Sequence, residues 1–303
     1  MPMRRTIRVA SRDSLLAVTQ SKLIMTALQA ADPDLVLELI TMKTTGDLIL
    51  DQTLDKIGGK GLFVKELDRA LLDGRADIAV HSLKDLPMDT DPNLPIVALS
   101  KREDPRDVLI LPEGRESLDP GRPIGCSSAR RRIQLQALYP DVPVASVRGN
   151  VQTRLAKLDR GDFSALVLAY AGIRRLGLEA RVSRVFEPDE MVPACGQGIL
   201  AVQARADFDP AILQSVHDPA AWDEAQAERS FVRALDGGCS LPIAAFAVAS
   251  GSSLNLTGFF HDEISGLTLT RTLAGSRSEA VALGREAARQ IRAELAKGQT
   301  CHE

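Results

Sequence analysis

Residues 76–87 read ADIAVHSLKDLP, a short apolar run that passes directly into a polar turn. Residues 76–80 read as a buried strand, and His81, Ser82, Leu83, Lys84 and Asp85 follow it without a break. In open α/β sheets the carboxyl ends of strands face the ligand crevice, which places Lys84 and Asp85 well for contact with a substrate. A solvated loop with a local ion pair is the plainer alternative, although loops at strand ends carry chemistry disproportionately.

Outward from this stretch, residues 15–30 read as a helix, 35–41 as a strand and 63–72 as a helix ended by Gly74. Downstream, strands are predicted at 108–111, 123–126, 142–147 and 165–169. Between them, Ser127 or Ser128 caps a helix running through 138, and Asn150 caps a helix whose apolar face is Val151, Leu155 and Leu158. This alternation predicts α/β layers with a mainly parallel sheet. The polar, proline-containing residues 100–105 form a candidate hinge, and 188–198 a second crossing. Beyond it the order changes: a helix over 220–235, strands near 243–248, 254–259 and 267–273, and a closing helix over 279–296 predict a separate α+β domain.

With 303 residues, 45% of them hydrophobic, the chain has the length of roughly two to three domains. A net charge of -3 does not indicate a general polyanion binder, so any basic function must sit in a local patch. The 28 arginines against 9 lysines suit bidentate carboxylate or phosphate recognition, and a codon bias would give the same count. The first ten residues carry arginines but lead into no apolar segment of a signal peptide, and no apolar run approaches the ~20 residues of a membrane span. A cytoplasmic protein without membrane association is therefore expected. Cys126, Cys195, Cys239 and Cys301 lie far apart, and His81, His217, His261 and His302 show no ligand spacing, so neither a metal site nor a disulfide framework is predicted.

Three more clusters carry potential chemistry. Gly58, Gly59, Lys60 and Gly61 precede a helix, with Lys56 upstream; such a turn can cradle an anion or serve as a flexible lid, but it lacks P-loop spacing. Ser127, Ser128, Arg130 and Arg131, with Arg148, Gly149 and Asn150, each follow a strand and open a helix. Hydroxyls, free backbone N–H groups and guanidiniums then converge on one crevice rim, a carboxylate or phosphate site in kind, unless the arginines are simply solvated. The turn DGGCSLP (236–242) projects the thiol of Cys239, or buries it as a small apolar group.

Taken in order, the blocks RVASR (8–12), GGKGLFVKEL (58–67), ADIAVHSLKDLP (76–87), REDPRD (102–107), VRGNVQTRLAKLD (147–159), ACGQG (194–198) and GGCSLPI (237–243) resemble the signature of the porphobilinogen deaminase (hydroxymethylbilane synthase) family. The resemblance implies three domains: two α/β lobes like periplasmic binding proteins around a cleft (1–99 with 199–216, and 104–193), and a smaller α+β domain (218–303). It implies that Cys239 holds a dipyrromethane cofactor by a thioether. Four porphobilinogens are then added with loss of ammonia, and hydroxymethylbilane is released by hydrolysis. Asp85 matches the catalytic aspartate. Arg12, Ser14, Lys84, Ser127, Ser128, Arg130, Arg131, Arg148, Gly149 and Arg154 match positions around the acetate and propionate groups of cofactor and substrate, and Arg175 and Gln197 match further cleft positions. Lys56, Gly58, Gly59, Lys60, Gly61 and Phe63 match a mobile active-site loop. A monomer that passes its product to the next enzyme of tetrapyrrole synthesis, with no nucleic-acid or membrane partner, completes the expectation.

Several positions depart from the commoner family pattern: Cys126 for threonine, Ala129 for leucine, Asp13 for glutamine, Leu15 for proline and Cys195 for valine. Cys126 weakens a hydrogen-bond donor beside the anion site, and Asp13 sets a negative charge near Arg12. A non-enzymatic two-lobed binder of a small polycarboxylate would use the same arginines but neither Cys239 nor Asp85. A nucleic-acid binder is opposed by the slight acidity and by an aromatic content of 4%.

Overall fold

The computed structural model describes residues 5–48, 64–237 and 241–300. The chain divides into two compact units, Met1–Glu103 with Gly198–Ala221, and Asp104–Gln197 with Trp222–Glu303.

The first unit contains β1 (Thr6–Arg12), α1 (Leu15–Ala31), β2 (Val36–Met42), α2 (Lys65–Leu72), β3 (Ile78–Ser82) and β4 (Ile96–Leu99). It also contains β10 (Leu200–Ala204), and its five strands lie in the order β2-β1-β3-β10-β4. β1 pairs parallel with β2 and β3, whereas β10 runs antiparallel to both β3 and β4. Ile7, Val9, Ile78, Val80, Leu200 and Val202 of the sheet pack with Ile24 and Leu28 of α1. β1 shows why periodicity passes over it: Ile7 and Val9 are buried, but Arg8 between them is charged and answers Asp77, with Nη2 2.9 Å from Oδ1.

The second unit begins with a lobe of β5 (Asp107–Ile110), β6 (Ile124–Gly125), α3 (Ala129–Leu138), β7 (Val144–Ala145), α4 (Val151–Asp159), β8 (Ala165–Ala169), α5 (Tyr170–Arg175) and β9 (Arg184–Val185). Its strand order is β7-β6-β8-β5-β9, with β6 parallel to β7 and β8, and β5 antiparallel to β8 and β9. Written from its own first parallel strand, each sheet has the same order: second, first, third, one antiparallel strand, then an edge strand. In each unit the antiparallel strand comes from chain that has just crossed over, β5 after β4 and β10 after β9. Val108, Leu166 and Leu168 are buried on one face of this sheet with Leu155 and Leu158, while Leu109, Ile124 and Val167 are buried on the other with Leu135, so helices cover both sides.

The strands predicted over 123–126 and 142–147 pair over only two residues each, although Cys126 N donates to Ala145 O at 2.9 Å beyond the paired region. Where the two crossing segments meet, Glu103 N donates to Gly198 O at 3.1 Å. Gly198 has φ +90, and a Cβ there would lie 2.2 Å from Glu103 O, so only glycine permits this approach.

From Trp222 the second unit continues with most of α6 (Pro219–Ala234), the antiparallel meander β11 (Ile243–Ser250), β12 (Ser253–His261) and β13 (Thr268–Ser276), and α7 (Ala280–Thr300). This is the smaller α+β domain. α6 starts on Pro219, whose missing N–H costs nothing at a helix start, and Asp218 Oδ1 accepts from Ala221 N at 2.8 Å. The first half of β12 alternates exposed and buried residues, the period of a sheet with one covered face. Val192, Ala244 and Phe259, with Ile133 and Phe246, join the domain to the α3 lobe. Among the described residues no helix is long and apolar enough to cross a membrane.

Candidate active site

In the first unit, β1 and β3 are parallel, so Arg12 and Ser82 end their strands at one edge of the sheet. Ser14 caps α1, its Oγ accepting from Ala17 N at 3.3 Å. Lys84 and Asp85 stand in a single 3-10 turn, Leu83–Asp85, immediately after β3. Leu83 and Leu86 are fully buried on either side of them, and Leu83 N donates to Ile199 O at 3.0 Å. The anchored leucines leave Lys84 half-buried and Asp85 exposed. His81, four residues before Asp85, is buried; burial first, and the charge of Arg12 second, push its pKa down to about 4 and keep the ring neutral at neutral pH.

In the second unit, β6, β7 and β8 are parallel, so 126–128, 146–149 and the start of α5 leave the sheet at one edge. Ser128 caps α3, accepting from Arg131 N at 3.5 Å, and Ser127 Oγ donates to the carbonyl of Val147, tying the two strand ends together. Asn150 caps α4, accepting from Thr153 N at 2.9 Å. Gly149 at φ +113 makes the turn into that helix, where a Cβ would sit 2.7 Å from Thr153 Cγ2, so backbone geometry alone requires this glycine. Arg154 Nε donates back to Gly149 O at 2.8 Å. Arg175 ends α5, and Gln197 is fully buried.

Arg130 and Arg131 are not rim side chains. Their side chains are 4% and 8% exposed, and both guanidiniums meet the fully buried Asp107: Arg130 Nη1 lies 2.7 Å from Oδ2 and Arg131 Nη2 lies 2.7 Å from Oδ1. Arg131 Nε also donates to Asp107 Oδ1 at 3.1 Å and Nη1 to Val167 O at 3.1 Å, while Arg130 Nη1 reaches Val192 O at 2.8 Å. Gln197 Nε2 adds a further bond to Asp107 Oδ1 at 2.9 Å. Burial by itself would raise the Asp107 pKa, but the two guanidinium charges and their hydrogen bonds outweigh it and hold the carboxyl well below the usual range. Sequence reading missed Asp107. The available signal was an acidic residue opening the apolar run 108–111, since a buried charge must find partners.

Burial also pushes the Cys126 thiol up, as for a packed apolar cysteine. Cys239 and the loop residues Lys56, Gly58, Gly59, Lys60, Gly61 and Phe63 lie outside the described residues. Among the described residues no group of His, Cys, Asp or Glu is arranged to hold a metal ion. The second unit does suit a polycarboxylate: helix starts capped by Ser128 and Asn150 gather with arginines at one sheet edge, and Arg130 Nε is buried without an acceptor.

Two α/β lobes of one topology and a third α+β domain, with arginines and helix starts at the strand ends, define a class of multidomain α/β protein. Residues 7–213 match the family model "Porphobilinogen deaminase, dipyromethane cofactor binding domain", and residues 222–293 match "Porphobilinogen deaminase, C-terminal domain". The chain belongs to the porphobilinogen deaminase family. It is 59% identical to the porphobilinogen deaminase of Acetivibrio thermocellus over 92% of this chain and 95% of that protein. It is 56% identical to that of Alkaliphilus oremlandii over 95% of this chain and 97% of that one. Among solved structures, the aliphatic sulphonate binding protein SsuA of Escherichia coli aligns at a TM-score of 0.41 and 13% identity, covering 77% of this chain and 71% of that one.

Proposed function

We propose that this protein is a hydroxymethylbilane synthase that condenses four porphobilinogens head to tail, with loss of ammonia, on a dipyrromethane held by Cys239. The observation that carries the reading is the family match across both domain models, with Asp85 set on a turn anchored by two buried leucines at a strand end. When bound, the dipyrromethane supplies the nucleophilic pyrrole carbon at which the chain grows. Porphobilinogen brings two carboxylates, and loss of ammonia leaves an electron-poor substrate cation. The Asp85 carboxylate opposes that positive charge and accepts the proton the pyrrole carbon must lose after attack. Arg12, Ser14 and Lys84 of the first unit, and Ser127, Ser128, Arg148 and Arg154 of the second, bind carboxylates through charge-assisted hydrogen bonds. Arg130 and Arg131 serve that set from a buried position, and Arg175 and Gln197 complete it.

In the same reading the domains are 1–99 with 199–216, 104–193 and 218–303. The enzyme works in the cytoplasm as a monomer and hands its product to the next enzyme of tetrapyrrole synthesis. The test is the intact mass of the purified protein together with ammonia release from porphobilinogen. A mass above that of the sequence by two linked pyrrole units, with ammonia released, supports the reading; the bare sequence mass and no ammonia would leave a two-lobed polycarboxylate binder.

A further inference from the structure

We infer that Asp107 is a positioning residue for the carboxylate-binding arginines, and that Glu228 of the third domain extends its hold through Gly196 and Gln197. The inference rests on the carboxylate-site reading of Arg130 and Arg131 given above. Asp107 is fully buried and lies against both guanidiniums, so their side chains are ordered by the fold before any ligand arrives. Two cations against one anion leave a single net positive charge, and the buried Arg130 Nε is a donor still lacking an acceptor. A long arginine free in solvent would lose rotamer freedom on binding a carboxylate; here folding has already taken that loss.

The hold continues across the second unit. Gln197 donates to Asp107 Oδ1 at 2.9 Å and to Pro105 O at 2.6 Å, which fixes the turn containing Gly196. Gly196 N in turn donates to Glu228 Oε2 at 2.6 Å, and Glu228 Oε1 accepts from Ala247 N at 2.8 Å. Glu228 is fully buried on α6, in the domain whose first strand follows Cys239. One carboxylate thus sets the arginines, and a second ties the turn beside them to the cysteine-bearing domain.

The test uses the full chain as purified. Asp107→Asn keeps the shape and the bond accepted from Gln197 but removes the charge. Intact mass gives the fraction carrying the pyrrole adduct, and rates over a porphobilinogen series give kcat and KM of that fraction. The adduct-bearing fraction is expected to fall and KM to rise about tenfold, with kcat of the loaded fraction within about threefold of wild type. Asp107→Glu, which keeps the charge, should recover most of the loading. Asp223→Asn, at the Arg277 pair of the third domain, is the structural control and should leave KM unchanged. If Asp107→Asn does not fold, Glu228→Gln decides, because it leaves the charges around Asp107 untouched; a KM raised about threefold supports the inference. Wild-type loading and KM in folded Asp107→Asn, or wild-type KM in Glu228→Gln where the first is insoluble, overturns it. Arg148→Leu separates the two levels. A raised KM there beside a normal Asp107→Asn sinks this inference alone, whereas a normal KM in both sinks the carboxylate-site reading as well.

Discussion

Gln20 Nε2 donates to Ser82 Oγ at 3.0 Å, bonding the buried second turn of α1 to the last residue of β3. The turn that carries Lys84 and Asp85 begins at the next residue, so its origin is held from the helix as well as from the sheet. Gln20→Leu should therefore lower stability by about 1–2 kcal/mol, the cost of leaving Ser82 without this partner. Urea unfolding measures the loss, and single-turnover ammonia release should slow a few-fold in the same variant. Unchanged stability would show that Ser82 finds water instead.

Asp85→Asn keeps size and polarity while removing the negative charge and the proton acceptor. Losing electrostatic stabilisation costs ~10²–10³ in rate and losing acid–base help ~10²–10⁴, so turnover should nearly vanish. The variant is loaded with preassembled cofactor, the tether is confirmed by mass, and ammonia release is followed in a single turnover. A rate within about tenfold of wild type, or about 1.4 kcal/mol of barrier, would assign the chemistry to another group.

Arg131→Leu and Arg148→Leu should fail in different ways. The first leaves the buried Asp107 with one guanidinium instead of two, and breaking such a pair costs about 3–5 kcal/mol of stability. The second removes a half-buried arginine at a strand end, with about 1 kcal/mol or less of stability lost but a charge-assisted contact of about 1.5–3 kcal/mol missing from chain growth. Arg289→Leu, on the exposed face of α7, should change neither. Denaturant melts combined with elongation assays distinguish the three.

His81 makes stability depend on pH with a definite sign. Its folded pKa, about 4, lies below the ~6.5 of an unfolded histidine, so the unfolded chain binds the extra proton in between. The stabilisation is complete above about pH 6.5 and is lost as pH falls toward 4, by about 3 kcal/mol in all. Asp68, pushed up to about 6 by burial and by Asp91, acts over an overlapping range with the opposite sign. Comparing wild type with His81→Gln cancels Asp68, and the difference between the two unfolding free energies should shift by that amount between pH 7 and 4. A parallel pair of pH profiles would mean His81 titrates normally.

Cofactor attachment by Cys239 predicts that Cys239→Ser loses the added mass and all activity, whereas Cys301→Ser loses neither. Cys126 and Cys195 are buried, and Cys126→Thr should keep the adduct. A fully active Cys239→Ser protein would refute the tether.

Local pattern was enough to read a strand ahead of Lys84 and Asp85, although it runs over Ile78–Ser82 and so takes in His81 and Ser82 instead of ending at 80. It also read a helix start at Ser127 or Ser128, which the structure places at Ser128, another at Asn150, and the change from α/β to α+β order past 198, because apolar period and capping residues act over a few neighbours. The order of the blocks, from 8–12 to 237–243, was also enough to indicate the family. Which sheet residues 200–204 join was not legible in their periodicity: an isolated apolar run is the same in either unit, and only pairing with β3 and β4 places it in the first. Nor did the row of arginines after Ser128 show which guanidiniums face inward. That choice belongs to Asp107, which lies 24 positions from Arg131 and 90 from Gln197 in the chain, and whose buried charge can be stable only where the fold brings cations to it.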